Sequence, residues 1–170
     1  MIFLCLWGSI AGREHRERAY LIAVCDTARE FNVPASLVLA VIRSESDFRK
    51  NACSDAGAIG LMQLMPQTFA YLGTEKLKEF PHPEQIWDPL TNIRYGTYYL
   101  SYLFDRFGSW DTVLAAYNAG EGRVAEWLEN PNIAKDGILL HIPYPETDAY
   151  VTQTLKHQQA YAEKYRLKEN

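Results

Sequence analysis

From Leu37 to Ile42 the chain is apolar on nearly every side of a helix: Leu37, Val38, Ala40, Val41 and Ile42 leave no polar stripe to face water. A helix of that kind must be buried, so the rest of the chain has to wrap around it. Asn32-Val33-Pro34 precedes it, a break and restart in which Pro34 suits a first helical position. Arg43-Ser44-Glu45-Ser46 follows and carries polar groups out of the core at the helix's C-terminal end.

The neighbouring segments repeat apolar residues three and four apart. Tyr20, Leu21, Val24, Cys25, Ala28 and Phe31 form one such stripe, within a helix expected from Glu14 to Phe31. Pro66 to about Leu72 predicts a short helix. Asp88-Pro89 predicts a long one, with Ile93, Tyr95, Tyr99, Leu100, Leu103 and Phe107 inside and Gly108 at its end. Ser109 opens another helix through Tyr117, Asn118-Ala119-Gly120 turns into a sixth, and Thr147 to Tyr165 forms the last. Residues 49–60 and 131–145 read as loops. No alternating strand pattern appears. The chain therefore reads as all-α, one domain with long functional loops. At 170 residues it is long enough to bury a core without staples.

Charge narrows the function. The net charge of −4 and the lack of a basic run argue against a nucleic-acid binder. Cys5, Cys25 and Cys53 form no CxxC and no zinc spacing with histidine, so no metal or cofactor is expected. Cys25 and Cys53 read as small buried hydrophobes, with a disulfide as the alternative. Met1 to Gly12 has no charged side chain and is too short to span a bilayer. It reads as a truncated export signal or membrane anchor ahead of a domain over 13–170, or else as a packed N-terminus.

Glu45 stands out among the polar residues. Burial and the negative end of a helix dipole both favour its protonated form, which is what a general acid needs. Position alone speaks more for an exposed glutamate at a fraying helix end. Gln63, within Gly60-Leu61-Met62-Gln63-Leu64-Met65-Pro66, reads either as a ligand-binding amide or as a loop tie. Tyr117-Asn118-Ala119-Gly120 reads as a helix end with two polar groups or simply a cap. Glu146 and Tyr150 lie four apart at the start of the last helix.

Taken in order, these pieces resemble the catalytic domain of soluble-type lytic transglycosylases, glycoside hydrolase family 23, with a goose-type lysozyme-like fold. The resemblance runs through Glu45-Ser46, Ser54, Gly57-Ala58, residues 60–66, Asp88-Pro89, Asn92-Ile93, Gly96, Tyr99-Leu100, residues 116–120, Ile142-Pro143, Glu146-Thr147 and Tyr150-Val151. It covers the chain from about Tyr20 onward. It implies a peptidoglycan glycan strand as substrate, an extracytoplasmic place in the cell envelope, membrane-anchored or secreted, and a monomer. Glu45 then matches the catalytic acid/base. Ser54 matches a hydroxyl at the sugar's N-acetyl group. Gln63, Met65 through its backbone, Tyr117 and Asn118 match subsite residues, Glu146 a groove carboxylate, and Tyr150 the ring beside it. Arg49-Lys50 and Asp148 depart from the family's usual residues at their positions.

Overall fold

The computed structural model describes residues 2–167. Seven α-helices carry the architecture: α1 (Ile2–Glu30), α2 (Ala35–Ser46), α3 (Pro66–Tyr71), α4 (Pro89–Phe107), α5 (Trp110–Ala119), α6 (Glu121–Glu129) and α7 (Pro145–Tyr165). The all-α expectation holds. α2 is the axis of the fold. Its residues from Leu37 to Ile42 are wholly buried, packed between α1 and α7. α4 and α5 close the core from the other side, through Ile93, Leu100, Leu103, Val113 and Leu114.

Several boundaries differ from those the sequence predicts. α1 begins at Ile2 and takes in the apolar N-terminal segment, because nothing between Gly12 and Glu14 breaks a helix. No helix among the described residues is long and apolar enough to cross a membrane. Pro34 lies just outside α2 at its N-cap, with ψ of 123°, rather than at the first helical position. α3 runs on into a π-helical stretch from Leu72 to Leu77, and a 3-10 turn, Pro83–Trp87, leads into α4. Asp88 caps α4 by accepting from the Thr91 N–H, and Gly108 ends it in the left-handed region. The stretch 131–145 includes a two-residue hairpin, β1 (Ala134–Lys135) and β2 (Ile138–Leu139), turned by Asp136-Gly137 at positive φ. α7 starts at Pro145, two residues early.

The cysteine expectation is corrected. Cys25 is half-buried, Cys53 is exposed, and both are free thiols. Cys53 is outside the core because it sits on the loop after α2, where Phe48, Ile59, Leu61, Met62 and Leu64 are the side chains that turn inward.

A second tie joins the two ends of the fold. Glu17 of α1 is buried, and it accepts hydrogen bonds from Lys164 Nζ at 2.7 Å, from Tyr161 at 3.1 Å and from Tyr165, all on α7.

Candidate active site

The site forms where the C-terminal end of α2 meets α7, α5 and the loop 49–65. Ser46 is the hinge of this arrangement. Its hydroxyl, in the last residue of α2, bonds the Leu61 carbonyl at 2.7 Å and so fixes the loop against the helix. Gly60 N–H donates to the Ala52 carbonyl, and Ile59 bridges both Cys53 and Leu64, so the loop folds back on itself. Asn92 of α4, fully buried, completes the frame. Its amide oxygen accepts from Met62 N–H at 2.8 Å, and its amide nitrogen donates to the Ile59 and Ile86 carbonyls at 2.9 Å each. A buried amide satisfied three ways fixes a backbone that has no helix of its own.

Glu45 is half-buried on the last turn of α2. Its Oε1 accepts from the Tyr150 hydroxyl at 2.7 Å. Burial pushes the Glu45 carboxyl up to about 7, and the Tyr150 hydrogen bond pulls the other way. Tyr117 stands near enough for Glu45 to raise its pKa, after burial itself, and its hydroxyl donates to the Met62 carbonyl at 2.7 Å. Both tyrosines therefore remain hydroxyl donors at neutral pH. Asp47, two residues on, is committed elsewhere: α2 ends there in the left-handed region, and Arg16 pairs with it at 3.1 Å. Asp55 is exposed on the loop.

A cleft of about 250 Å³ opens beside Tyr117. It is lined by Gln63, Leu64, Met65, Thr68, Tyr99 and residues 117–120. It continues past Thr68 and Tyr99 into a second hollow of about 240 Å³ edged by Gln67, Tyr71 and Glu121. Another hollow of about 300 Å³, between Glu79 and Arg94, shares no lining residue with these, and its charged groups are spent on each other.

The residues singled out by sequence fall into three groups. Glu45 and Tyr150 touch. Gln63, Met65, Tyr117 and Asn118 line the cleft. Ser54 and Glu146 lie outside that lining. Ser54 Oγ accepts from the Ala58 N–H at 3.0 Å and so shapes the loop, while Glu146 is exposed on the first turn of α7, one turn before Tyr150. Gln63 is indeed a loop tie: its amide nitrogen donates to Gly60 and Ala52 carbonyls. Its φ of 48° turns the chain there. Asn118 is exposed, with its amide oxygen held by buried Thr147 at 2.8 Å. Sequence reasoning missed Thr147 in this role and missed Thr68 in the cleft wall. Asn92 and Gly96 show no role in the sequence alone. Gly96 proves to be the place where α4 must lack a side chain, since a Cβ there would meet Met62 Sδ at 2.4 Å.

A helical scaffold with a half-buried, raised-pKa glutamate near Tyr117, which walls the cleft, defines a lysozyme-like domain. The chain belongs to the transglycosylase SLT domain family, whose model matches residues 23–139. It is 36% identical to the soluble lytic murein transglycosylase of Escherichia coli K12 over 171 aligned positions, covering 93% of this chain and 26% of that protein. It thus spans about a quarter of the length of the curated relatives it matches. Among solved structures it resembles the lytic transglycosylase Slt of Pseudomonas aeruginosa, determined as an inactive glutamate-to-glutamine mutant. The TM-score there is 0.75 at 35% identity, over 88% of this chain and 24% of that one. The 70-kDa soluble lytic transglycosylase in complex with bulgecin A gives a TM-score of 0.74 at 35% identity, over 87% of this chain and 24% of that one. The lysozyme-like fold follows from these matches.

Proposed function

We propose that this chain is a lytic transglycosylase that cleaves the β-1,4 bond between N-acetylmuramic acid and N-acetylglucosamine in peptidoglycan, leaving 1,6-anhydromuramic ends. The observation that carries the reading is the state of Glu45. With its carboxyl raised to about 7, about half of it is protonated at neutral pH, where an ordinary glutamate is ionised, and it stands near Tyr117, which walls a sugar-sized cleft.

Glu45 gives its proton to the glycosidic oxygen as the bond from C1 breaks. The C6 hydroxyl of the same muramic residue attacks C1, and the Glu45 carboxylate takes the hydroxyl's proton. No water is consumed and no protein nucleophile is needed, unlike the usual two-carboxylate scheme. The environment of Glu45 supports this. Burial and Tyr150 are what act on its carboxyl, and the carboxylate nearest in sequence, Asp47, is turned to Arg16. Tyr150 stabilises the carboxylate between the two proton transfers. Tyr117, Asn118, Gln63 and the Met65 backbone line sugar subsites, with Ser54 at the N-acetyl group and Glu146 along the groove. The inactive glutamate-to-glutamine form of the Pseudomonas relative supports a single glutamate as the working group. The domain acts as a monomer on glycan strands in the cell envelope, with residues 1–12 as an anchor-like or export-signal segment.

The test is digestion of purified peptidoglycan by wild type and Glu45→Gln, with the products weighed by mass spectrometry. Products one water lighter than reducing ends, absent with the variant, are expected. Reducing ends would make the chain a hydrolase. No Glu45-dependent product, from folded protein that still binds glycan, would make it a binding module.

A further inference from the structure

The second hollow carries the cleft wall beyond the residues that the proposed reaction uses. Thr68 and Tyr99 line both spaces, so one continuous surface leads from Tyr117 into it. Aromatic rings follow the same path. Tyr99 lies 5.3 Å from Tyr117, centroid to centroid, Tyr102 stacks on Tyr99 at 6.2 Å, and Tyr71 meets Tyr102 edge-on at 6.5 Å. Tyr71 edges the hollow and keeps 41% of its surface exposed.

This row of rings ends on a cation. Lys76 Nζ lies 4.8 Å from the Tyr102 ring centroid and 5.3 Å from that of Tyr71. The local backbone explains the second contact. In an α-helix, side chains three and four residues apart meet. Leu72–Leu77 is π-helical instead, with Tyr71 at its N-cap, and a π-helix pairs each residue with the fifth one on. Lys76 is that residue for Tyr71. The rings hold the ammonium in place while it stays exposed to solvent. A lysine already fixed loses less freedom when it takes a partner. The carboxylates at hand are matched elsewhere: Glu75 pairs with Lys78 at 4.0 Å, and Glu121, on the edge of the hollow, pairs with Arg106.

We propose that the second hollow is a further subsite for the glycan strand, in which Tyr71 packs on a sugar ring and Lys76 holds a carboxylate that the strand carries. This rests on peptidoglycan as the substrate of the cleft. A muramic residue offers such a carboxylate in one of two forms. It lies on the lactyl group where no peptide is attached, and on the stem peptide where one is. A chitin strand has the same β-1,4-linked backbone and neither group. The subsite therefore sorts strands by charge, which the groups at Glu45 do not do. A tyrosine face suits the sugar, since an aromatic ring gives a large apolar surface with a polar tip.

The test is calorimetric binding by the full chain carrying Glu45→Gln, so that no strand is cut. The ligands are peptide-bearing glycan strands, peptide-free strands and chitin oligosaccharides of equal length. Adding Lys76→Gln should weaken binding of a carboxylate-bearing strand about threefold and leave chitin unchanged, and Lys76→Arg should restore it. A loss confined to peptide-bearing strands assigns the carboxylate to the stem peptide, and a loss on peptide-free strands assigns it to the lactyl group. Raised salt should erase the difference between Lys76→Gln and its parent. Tyr71→Ala should weaken every ligand several-fold, chitin included. Both side chains are exposed, so neither variant is expected to unfold the domain. Lys76→Gln that costs chitin as much as the charged strands, or costs none of them, would overturn the proposal, as would unchanged chitin binding by Tyr71→Ala. Wild-type protein that releases no anhydro product would sink the transglycosylase chemistry and leave these affinities standing, whereas protein that binds none of the strands would sink both.

Discussion

A Cβ placed on Gly60 would sit 2.4 Å from Nδ2 of Asn92. Gly60 also has φ of 83°, a conformation that disfavours side chains. The loop under the cleft therefore approaches α4 as closely as backbone and amide allow. Gly60→Ala is expected to lower stability by about 2–4 kcal/mol and to abolish turnover, because Asn92 must release Met62 and Ile59 to make room. Asn92→Ala removes all three amide bonds and should cost about 3 kcal/mol. Chemical denaturation together with product release checks both. A Gly60→Ala protein of wild-type stability would mean the loop yields more cheaply than its bonding implies.

Glu45 should weaken the fold at alkaline pH. Its folded pKa of about 7 lies above the reference 4.5, so the folded state binds the proton more tightly than the unfolded one. Stability is then fullest below about 4.5 and falls as pH rises through 7. Glu45→Gln removes that dependence. At pH 8 the variant should be more stable than wild type by about 2 kcal/mol, allowing for partial exposure, and at pH 4 the two should coincide. Thermal melts across that range decide it.

Turnover should follow the same proton. As an acid Glu45 works only when protonated, so kcat is expected to hold on the acidic side of 7 and to drop about tenfold per pH unit above it. A rate that climbs between pH 7 and 9 would place the limiting proton on another group.

Glu17 gives the opposite pH response. Burial pushes its carboxyl up, but Lys164, Tyr165 and Tyr161 together outweigh burial and hold it below the usual range. Its contribution is present above the unfolded pKa and fades as pH falls through the folded one. Glu17→Ala should cost about 2 kcal/mol at pH 7, because the Tyr161 and Tyr165 hydroxyls lose their acceptor while Lys164 keeps Glu14, and Glu17→Met with Lys164→Met should recover part of it. A double-mutant cycle followed by urea denaturation tests this pair.

The sequence made the helices legible because their burial is periodic. Leu37 to Ile42 had to be the core, and they are. The expected acid, Glu45, lies beside Tyr150, and Tyr117 beside the cleft. What stayed hidden depends on contacts far apart in the chain. Asn92 looks like any helix-start asparagine until Met62 and Ile59 of the loop, 30 and 33 residues before it, wrap onto its amide. Thr154 is one hydroxyl among several on α7, and only the packing of α7 on α2 sets it against Ser44. Cys53 was expected inside, but the loop that carries it turns other residues inward. Periodicity reports which face is buried. It does not report which two polar atoms meet there.

Tyr150, Thr147 and Thr154, the partners of Glu45, Asn118 and Ser44, all come from the last helix, although Glu45 is written 105 residues before Tyr150. A nascent chain lengthening from its N-terminus therefore carries its acid early but has no donor, no fixed Asn118 and no closed wall for the catalytic end of α2 until α7 has been made and docked. Until then the growing chain holds no assembled site. A protease clip between α6 and α7 that let the last helix drift away would return the site to that unassembled state.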